Sequence, residues 1–252
     1  TPVNLPETPQ EVQPMLDALN DLLQRLAQRM ETERRFTADA AHELRTPIAA
    51  IRAQAQVALS AAIDDRVRQQ ALQDTLMGCD RASRVVEQLL TLARVEGPQD
   101  VVSEPFRLDQ LAQQVMADLT PDALRRGQTL ELLAPEAIEI YGQSTLWQIL
   151  LRNLIDNALR YSPDGSVVRI EAQRLDPSHV QVTVQDSGPG LASTDMARLG
   201  ERFFRVLGNS ATGSGLGWSI VRHIASLQHV DVQVGKSADL GGLQVTLRYP
   251  HA

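Results

Sequence analysis

The chain has 252 residues, 43% of them hydrophobic, and a formal net charge of −7. That is enough for one large or two ordinary packed domains, and it speaks against a protein that finds nucleic acid by long-range attraction to phosphate. The single cysteine, Cys79, excludes an internal disulfide framework and fits a reducing compartment, and the only lysine is Lys236. Unless that one side chain serves, the Walker A loop, the lysine-dependent protein kinases and Schiff-base chemistry are removed. No run approaches the roughly 20 apolar residues of a membrane span, nothing resembles a signal peptide, and the chain starts at Thr1, so a fragment with an upstream part is expected.

In chain order, residues 1 to 14 hold four prolines and read as an extended lead-in. Leu16, Leu19, Leu23, Leu26 and Met30 then alternate steps of three and four, the spacing of a coiled-coil stripe. The stripe breaks at Glu33 and resumes in a shifted phase around Phe36, Ala40 and Leu44. Asp64 or Asp65 is placed to cap a second helix, on which Leu72, Leu76, Cys79, Ser83, Val86, Leu90 and Ala93 form a seam. Two such helices make a hairpin that best buries one stripe each by pairing with a second copy into a four-helix bundle. "EGPQD", residues 96 to 100, supplies a stop and a linker.

From residue 101 the pattern mixes helix and strand. "SEPFRL", "QTLELL" and "AIEIY" read as strands, and 108 to 126 and 143 to 160 as amphipathic helices. "SVVRIEAQRL" and "VQVTVQD" alternate like a hairpin around "DPS", and a glycine-rich stretch from 187 to 217 precedes the helix "LGWSIVRHIASL". "VDVQV" and "GLQVTLRY" close the chain as strands, giving an α+β domain with helices on a mostly antiparallel sheet.

Several short patterns carry chemistry. In "FTADAAHELRTPIAAI", His42 and Thr46 lie four residues apart on one helix face, with Glu43 beside the histidine. A neutral imidazole is a competent nucleophile and an adjacent carboxylate can take its proton; all of these residues are expected to stay exposed. Pro47 bends a helix interior at a cost of ~3 kcal/mol or more, and an exposed polar face with an incidental kink is the plainer reading. Asn153 and Asn157 are poor helix formers one turn apart in a leucine-rich helix, and a carboxamide oxygen suits Mg²⁺, although a solvated polar face would look the same. Asp186 ends a valine-rich strand before Gly188-Pro189-Gly190, where it could accept a hydrogen bond from an exocyclic amine or simply form an Asx turn. Gly213, Gly215 and Gly217 precede a helix, where free N–H groups can bind phosphate, but their G-x-G-x-G spacing departs from the dinucleotide fingerprint. Arg202 and Arg205 flank Phe203-Phe204 between the glycine segments and are available to phosphate.

Taken together and in this order, these patterns resemble the cytoplasmic part of a sensor histidine kinase from a bacterial two-component system, of the QseC and PmrB type, over nearly the whole chain. "FTADAAHELRTP" looks like the H box, "NLIDNALRYS" the N box, "DSGPG" the G1 box, "RFFR" the F box and "GSGLG" the G2 box. The resemblance implies the end of a HAMP-like linker over 1–33, a dimerisation and histidine phosphotransfer domain over 34–96, and a Bergerat-type α/β sandwich ATP-binding domain over 101–252.

The resemblance also implies roles for particular residues. His42 would be phosphorylated, with Glu43 as base, Thr46 orienting a dephosphorylating water and Arg205 neutralising charge. Asn157 would ligate Mg²⁺ with Asn153 supporting it. Arg160 and Tyr161 would lie along ATP and Asp186 would read the adenine. Gly188, Gly190, Gly213, Gly215 and Gly217 would shape the lid. The expected partners are a second copy and a response regulator, with no nucleic acid and with a bacterial inner membrane reached only through an upstream segment. A Bergerat ATPase without histidine phosphorylation and a non-catalytic dimeric scaffold are the alternatives. The chain departs from the family pattern at Trp218, where a small or aliphatic side chain is expected, and in "LQHVDV", which lacks the glycine usual after the last helix.

Overall fold

A computed structural model describes residues 13–60, 64–96, 103–196, 198–199 and 216–250. The chain divides into two compact units, Thr1–Val86 and Glu87–Ala252, with the division inside a helix.

The first unit is built on two long helices, α1 (Gln13–Ala58) and α2 (Asp65–Glu96), the latter running on into the second unit. Helix α1 begins inside the lead-in expected to be extended, because Pro14 sits in its first turn, where a missing N–H costs no hydrogen bond. Asp64 caps α2 as expected, accepting the amide of Arg66 at 3.3 Å. The α2 seam expected to pair with a second copy is exposed in the single chain. Leu72, Leu76, Val86 and Leu90 are exposed, and so is Cys79 in the same stripe. The buried positions are instead Ala71, Gly78, Val85, Leu89 and Leu92. Ile51 of α1 lies so close over Gly78 that a Cβ there would stand 2.6 Å from its Cγ1. Small residues on α2 let the two helices approach, so the stripe one residue earlier faces inward.

The second unit layers helices on one face of a sheet. Strands β1 (Glu104–Arg107) and β3 (Glu139–Gly142) form a small antiparallel pair. Strands β2 (Thr129–Leu133), β4 (Val167–Asp176), β5 (His179–Asp186), β6 (Asp231–Lys236) and β7 (Leu243–Pro250) form a five-stranded sheet ordered β2-β4-β5-β7-β6, parallel only between β2 and β4. Strict alternation gives the sheet one apolar face, on which Val168, Ile170, Ala172, Val180, Val182, Val184, Val245 and Leu247 are all buried. Helices α3 (Leu108–Arg125), α4 (Ser144–Tyr161) and α6 (Leu216–Leu227) lie against the sheet, and a single turn, α5 (Ser193–Met196), stands apart. Helix α4 buries Leu146, Trp147, Leu150, Leu151, Leu154, Ile155, Ala158 and Leu159, a helical period that fixes which side chains face away from the core.

The missing glycine after α6 has a structural counterpart. His229 takes φ 55°, the left-handed conformation that glycine adopts freely and that costs other residues roughly 1–2 kcal/mol. The turn is held because Val230 N–H reaches back to the Ala225 carbonyl at 2.8 Å and Gln228 N–H to that of Ile224 at 2.9 Å.

Candidate functional site

On α1, His42 and Thr46 share an exposed face, and the Thr46 hydroxyl donates to the His42 carbonyl at 3.5 Å, the outer limit of a hydrogen bond. Glu43 and Pro47 are half-buried, which corrects the expectation that the whole cluster is exposed. The reason is the helical period: positions 43, 44 and 47 turn toward α1's inner side when 42 and 46 turn outward. Pro47 has no N–H to give to the Glu43 carbonyl, so the backbone hydrogen-bond ladder is interrupted one residue after His42.

In the second unit, the asparagines on α4 meet the first turn of α6. Asn153 Nδ2 donates to the Ile149 carbonyl at 2.8 Å, which leaves its oxygen turned outward. A Cβ at Gly217 would stand 3.2 Å from Asn157 Nδ2 and 3.3 Å from Asn153 Oδ1, so bare backbone faces both amides there. The Asn157 Nδ2 is buried without a hydrogen-bond partner, which is costly in a packed domain. Arg160, expected along the nucleotide, is paired with Asp156 at 2.6 Å, and Tyr161 is half-buried.

At the end of β5, Asp186 is buried, 7% exposed. Its Oδ1 accepts the amides of Gly188 at 2.9 Å and Leu243 at 3.2 Å. Burial pushes the Asp186 carboxyl above the usual carboxylate range, while those two amides pull it back. The Ser162 hydroxyl is near enough to favour the ionised form but makes no hydrogen bond of normal geometry. Gly188 is required: a Cβ would lie 2.9 Å from both Asp186 Oδ1 and Ser162 Oγ. Gly190 adopts φ +68°.

Two participants were not foreseen from the sequence. Ser162 caps the end of α4 and closes one side of Asp186. Gly242 closes the other, since a Cβ there would stand 2.2 Å from Asp186 Oδ1 and 2.4 Å from its carbonyl oxygen. The Gly241-Gly242 pair before β7 was the available signal for the second. Arg205, Gly213 and Gly215 lie outside the described residues.

Among the described residues no cluster of three or more His, Cys, Asp or Glu side chains could hold a metal. The Asn153 and Asn157 carboxamide oxygens beside Gly217 are hard donors, compatible with a cation that takes few protein ligands.

Two family comparisons match this layout. The His Kinase A (phospho-acceptor) domain family matches residues 32–98, and the histidine kinase-, DNA gyrase B- and HSP90-like ATPase family matches residues 142–252. Sensor protein QseC of Salmonella typhi is 43% identical over 99% of this chain and 55% of its own length. Sensor protein BasS of Escherichia coli K12 is 34% identical over 98% of this chain and 67% of its own. The solved Acinetobacter baumannii histidine kinase AdeS covers 83% of this chain and 98% of its own with a TM-score of 0.62 at 24% identity, a likeness of fold. The chain belongs to the sensor histidine kinases: a phosphoacceptor helical hairpin followed by an α/β sandwich of the ATP-binding type. It spans about half the length of QseC, 55%. Among the described residues no helix is long and apolar enough to cross a membrane.

Proposed function

We propose that this chain transfers the γ-phosphoryl of ATP to His42 and then to an aspartate of a response regulator, and that it also removes phosphate from that regulator. The observation that carries the reading is the bare backbone at Gly217 set against Asn153 and Asn157, in a chain that also exposes His42 on a helical hairpin. In this reading Asp186 accepts the exocyclic amine of adenine, and Gly188 lets the ring approach. Asn157, supported by Asn153, would hold Mg²⁺, which when bound would supply neutralisation of phosphate charge. Arg160 and Tyr161 flank the nucleotide, with Gly190, Gly213 and Gly215 shaping the lid and Arg205 adding charge to the phosphates. One imidazole nitrogen of His42 forms the new P–N bond as the bond to ADP breaks, and the other gives its proton to Glu43.

The exposed α2 stripe of Leu72, Leu76, Val86 and Leu90 supports a homodimer through the helical hairpins. The regulator would dock beside His42. Nucleic acid has no part in this reading, and the membrane is that of a bacterial inner-membrane protein whose cytoplasmic part this is.

The test is incubation of the purified chain with γ-labelled ATP and Mg²⁺, then acid and alkali treatment, with His42→Gln alongside. Label lost in acid, stable in alkali and absent from the variant is expected. Acid-stable label, or label undiminished in His42→Gln, would reject the assignment of His42. ATP binding and turnover without protein labelling would instead indicate an ATPase of the same fold.

Thr46 gives a separate prediction. Because it lies on the His42 face but makes only a marginal hydrogen bond, Thr46→Ala should keep autophosphorylation within about twofold and lose at least ~10-fold in regulator dephosphorylation. Equal loss in both assays would show that Thr46 serves the helix rather than a water.

A further inference from the structure

Outside every motif discussed so far, two side chains converge on the end of α4. The last carbonyls of a helix have no partner within it, and here they are claimed by the segment just after α3. Gln128, only 4% exposed, turns its Nε2 to the carbonyls of Leu159 at 2.9 Å, Pro163 at 3.0 Å and Ser162 at 3.2 Å, and to Ser166 Oγ at 3.0 Å. Arg126 donates through Nη2 to the Ser162 carbonyl at 2.8 Å, through Nη1 to that of Leu159, and through Nε to Asp164 Oδ1 at 2.9 Å. Backbone bonds close the junction on both sides, Gly165 N–H to the Arg126 carbonyl at 3.0 Å and Thr129 N–H to that of Ser166 at 2.9 Å.

The end of α4 is buried at Leu159, Ser162 and Ser166, so its carbonyls need donors from within the domain. An exposed helix C-terminus is satisfied by water, and a glycine or a basic side chain of its own usually suffices. What this cap holds in place is Ser162, whose Cα stands 3.3 Å and whose hydroxyl 2.9 Å from the point where a Gly188 Cβ would be, beside Asp186. The carbonyl of Ser162 is gripped by Arg126 and Gln128 on one side, and its side chain closes the Asp186 pocket on the other.

We propose that Arg126 and Gln128 are positioning residues for base recognition: as an external cap on α4 they set Ser162 against Asp186 and so hold the carboxylate that reads the nucleobase. The inference rests on the reading of Asp186 as the adenine-binding carboxylate. Neither side chain touches the nucleotide. Their effect is confined to ligands whose base engages Asp186.

The experiment compares ATP with ITP, which lacks the exocyclic amine, by equilibrium binding to the whole chain and to Gln128→Met, a variant of similar length without a donor. The parent is expected to prefer ATP. In Gln128→Met, ATP affinity should fall about tenfold, the effect of one ordinary hydrogen bond, with ITP affinity unchanged. Arg126→Lys, at a partly exposed side chain, keeps the charge and loses the fork, so a smaller fall of about threefold restricted to ATP is expected there. That variant carries the test if Gln128→Met does not fold. Parallel loss of ATP and ITP would show a general loosening of the domain and overturn the proposal, as would unchanged affinity for both. A parent chain that does not prefer ATP over ITP would remove the role of Asp186 itself, and this inference with it.

Discussion

Asn157→Ala should incorporate no phosphoryl from MgATP and yet melt at a slightly higher temperature than the parent. Both halves follow from one side chain. The Asn157 amide nitrogen is buried without a partner, and such a group costs about 1–3 kcal/mol. Alanine removes that cost and is the better helix former by roughly half a kcal/mol. A gain of about 1 kcal/mol corresponds to a rise of about 2–4 °C for a chain of this size. The same replacement deletes the Asn157 oxygen, which lies 3.4 Å from where a Gly217 Cβ would be, and with it the proposed hold on Mg²⁺. Labelling with γ-labelled ATP and a thermal melt on the same preparation read the two effects. A variant that labels normally would take Asn157 out of the metal site, and a fall in melting temperature would mean that its amide is satisfied in the folded chain.

Gly242→Val should cost nucleotide binding and stability together. Any Cβ at 242 falls 2.2 Å from Asp186 Oδ1, 2.4 Å from the Asp186 carbonyl and 2.7 Å from the Gly188 amide, and two of those three atoms belong to backbone. To make room, the turn before β7 must move away from β5, which breaks the bonds from Gly242 N–H to the Asp186 carbonyl at 3.1 Å and from Leu243 N–H to Oδ1 at 3.2 Å. Overpacking of this kind costs about 1–3 kcal/mol. The carboxylate would also lose one of its two amide donors, so ATP affinity should drop by about two orders of magnitude. Gly235→Ala is the control: nothing lies within 4 Å of a Cβ there, and its φ is ordinary. Binding by Gly235→Ala should match the parent. If Gly242→Val also matches it, Asp186 is not held as described.

Much of the fold was legible because its elements are strongly periodic. The helix read from "LGWSIVRHIASL" is α6, Leu216–Leu227. The alternating valines of β5 point to the buried face as the pattern required. The asparagine pair and Asp186 could be picked out because each breaks a local rule, a poor helix former repeated on one face and a charge at the end of an apolar strand. The walls around Asp186 could not. Ser162 and Gly242 are ordinary residues in sequence, and their importance comes from strands and helix ends that meet only after folding. The α2 seam was legible as a stripe, and it is the one left exposed in the single chain. Periodicity reveals that a stripe exists, but two stripes one residue apart are equally periodic, and only the partner decides which one turns inward.

Those two stripes have a consequence for how α2 can turn. In the first half of α2 the inner stripe is small, Ala71, Thr75 and Gly78, and the outer one is larger, Leu72, Leu76 and Cys79. Rolling α2 by one position, about 100°, would drive Leu72 and Leu76 into space shaped for Ala71 and Thr75. It would also set the Cys79 side chain where Ile51 already overhangs a bare Gly78. The size mismatch at Ala71, Thr75 and Gly78 therefore opposes a one-residue roll of α2 against Ile51 of α1.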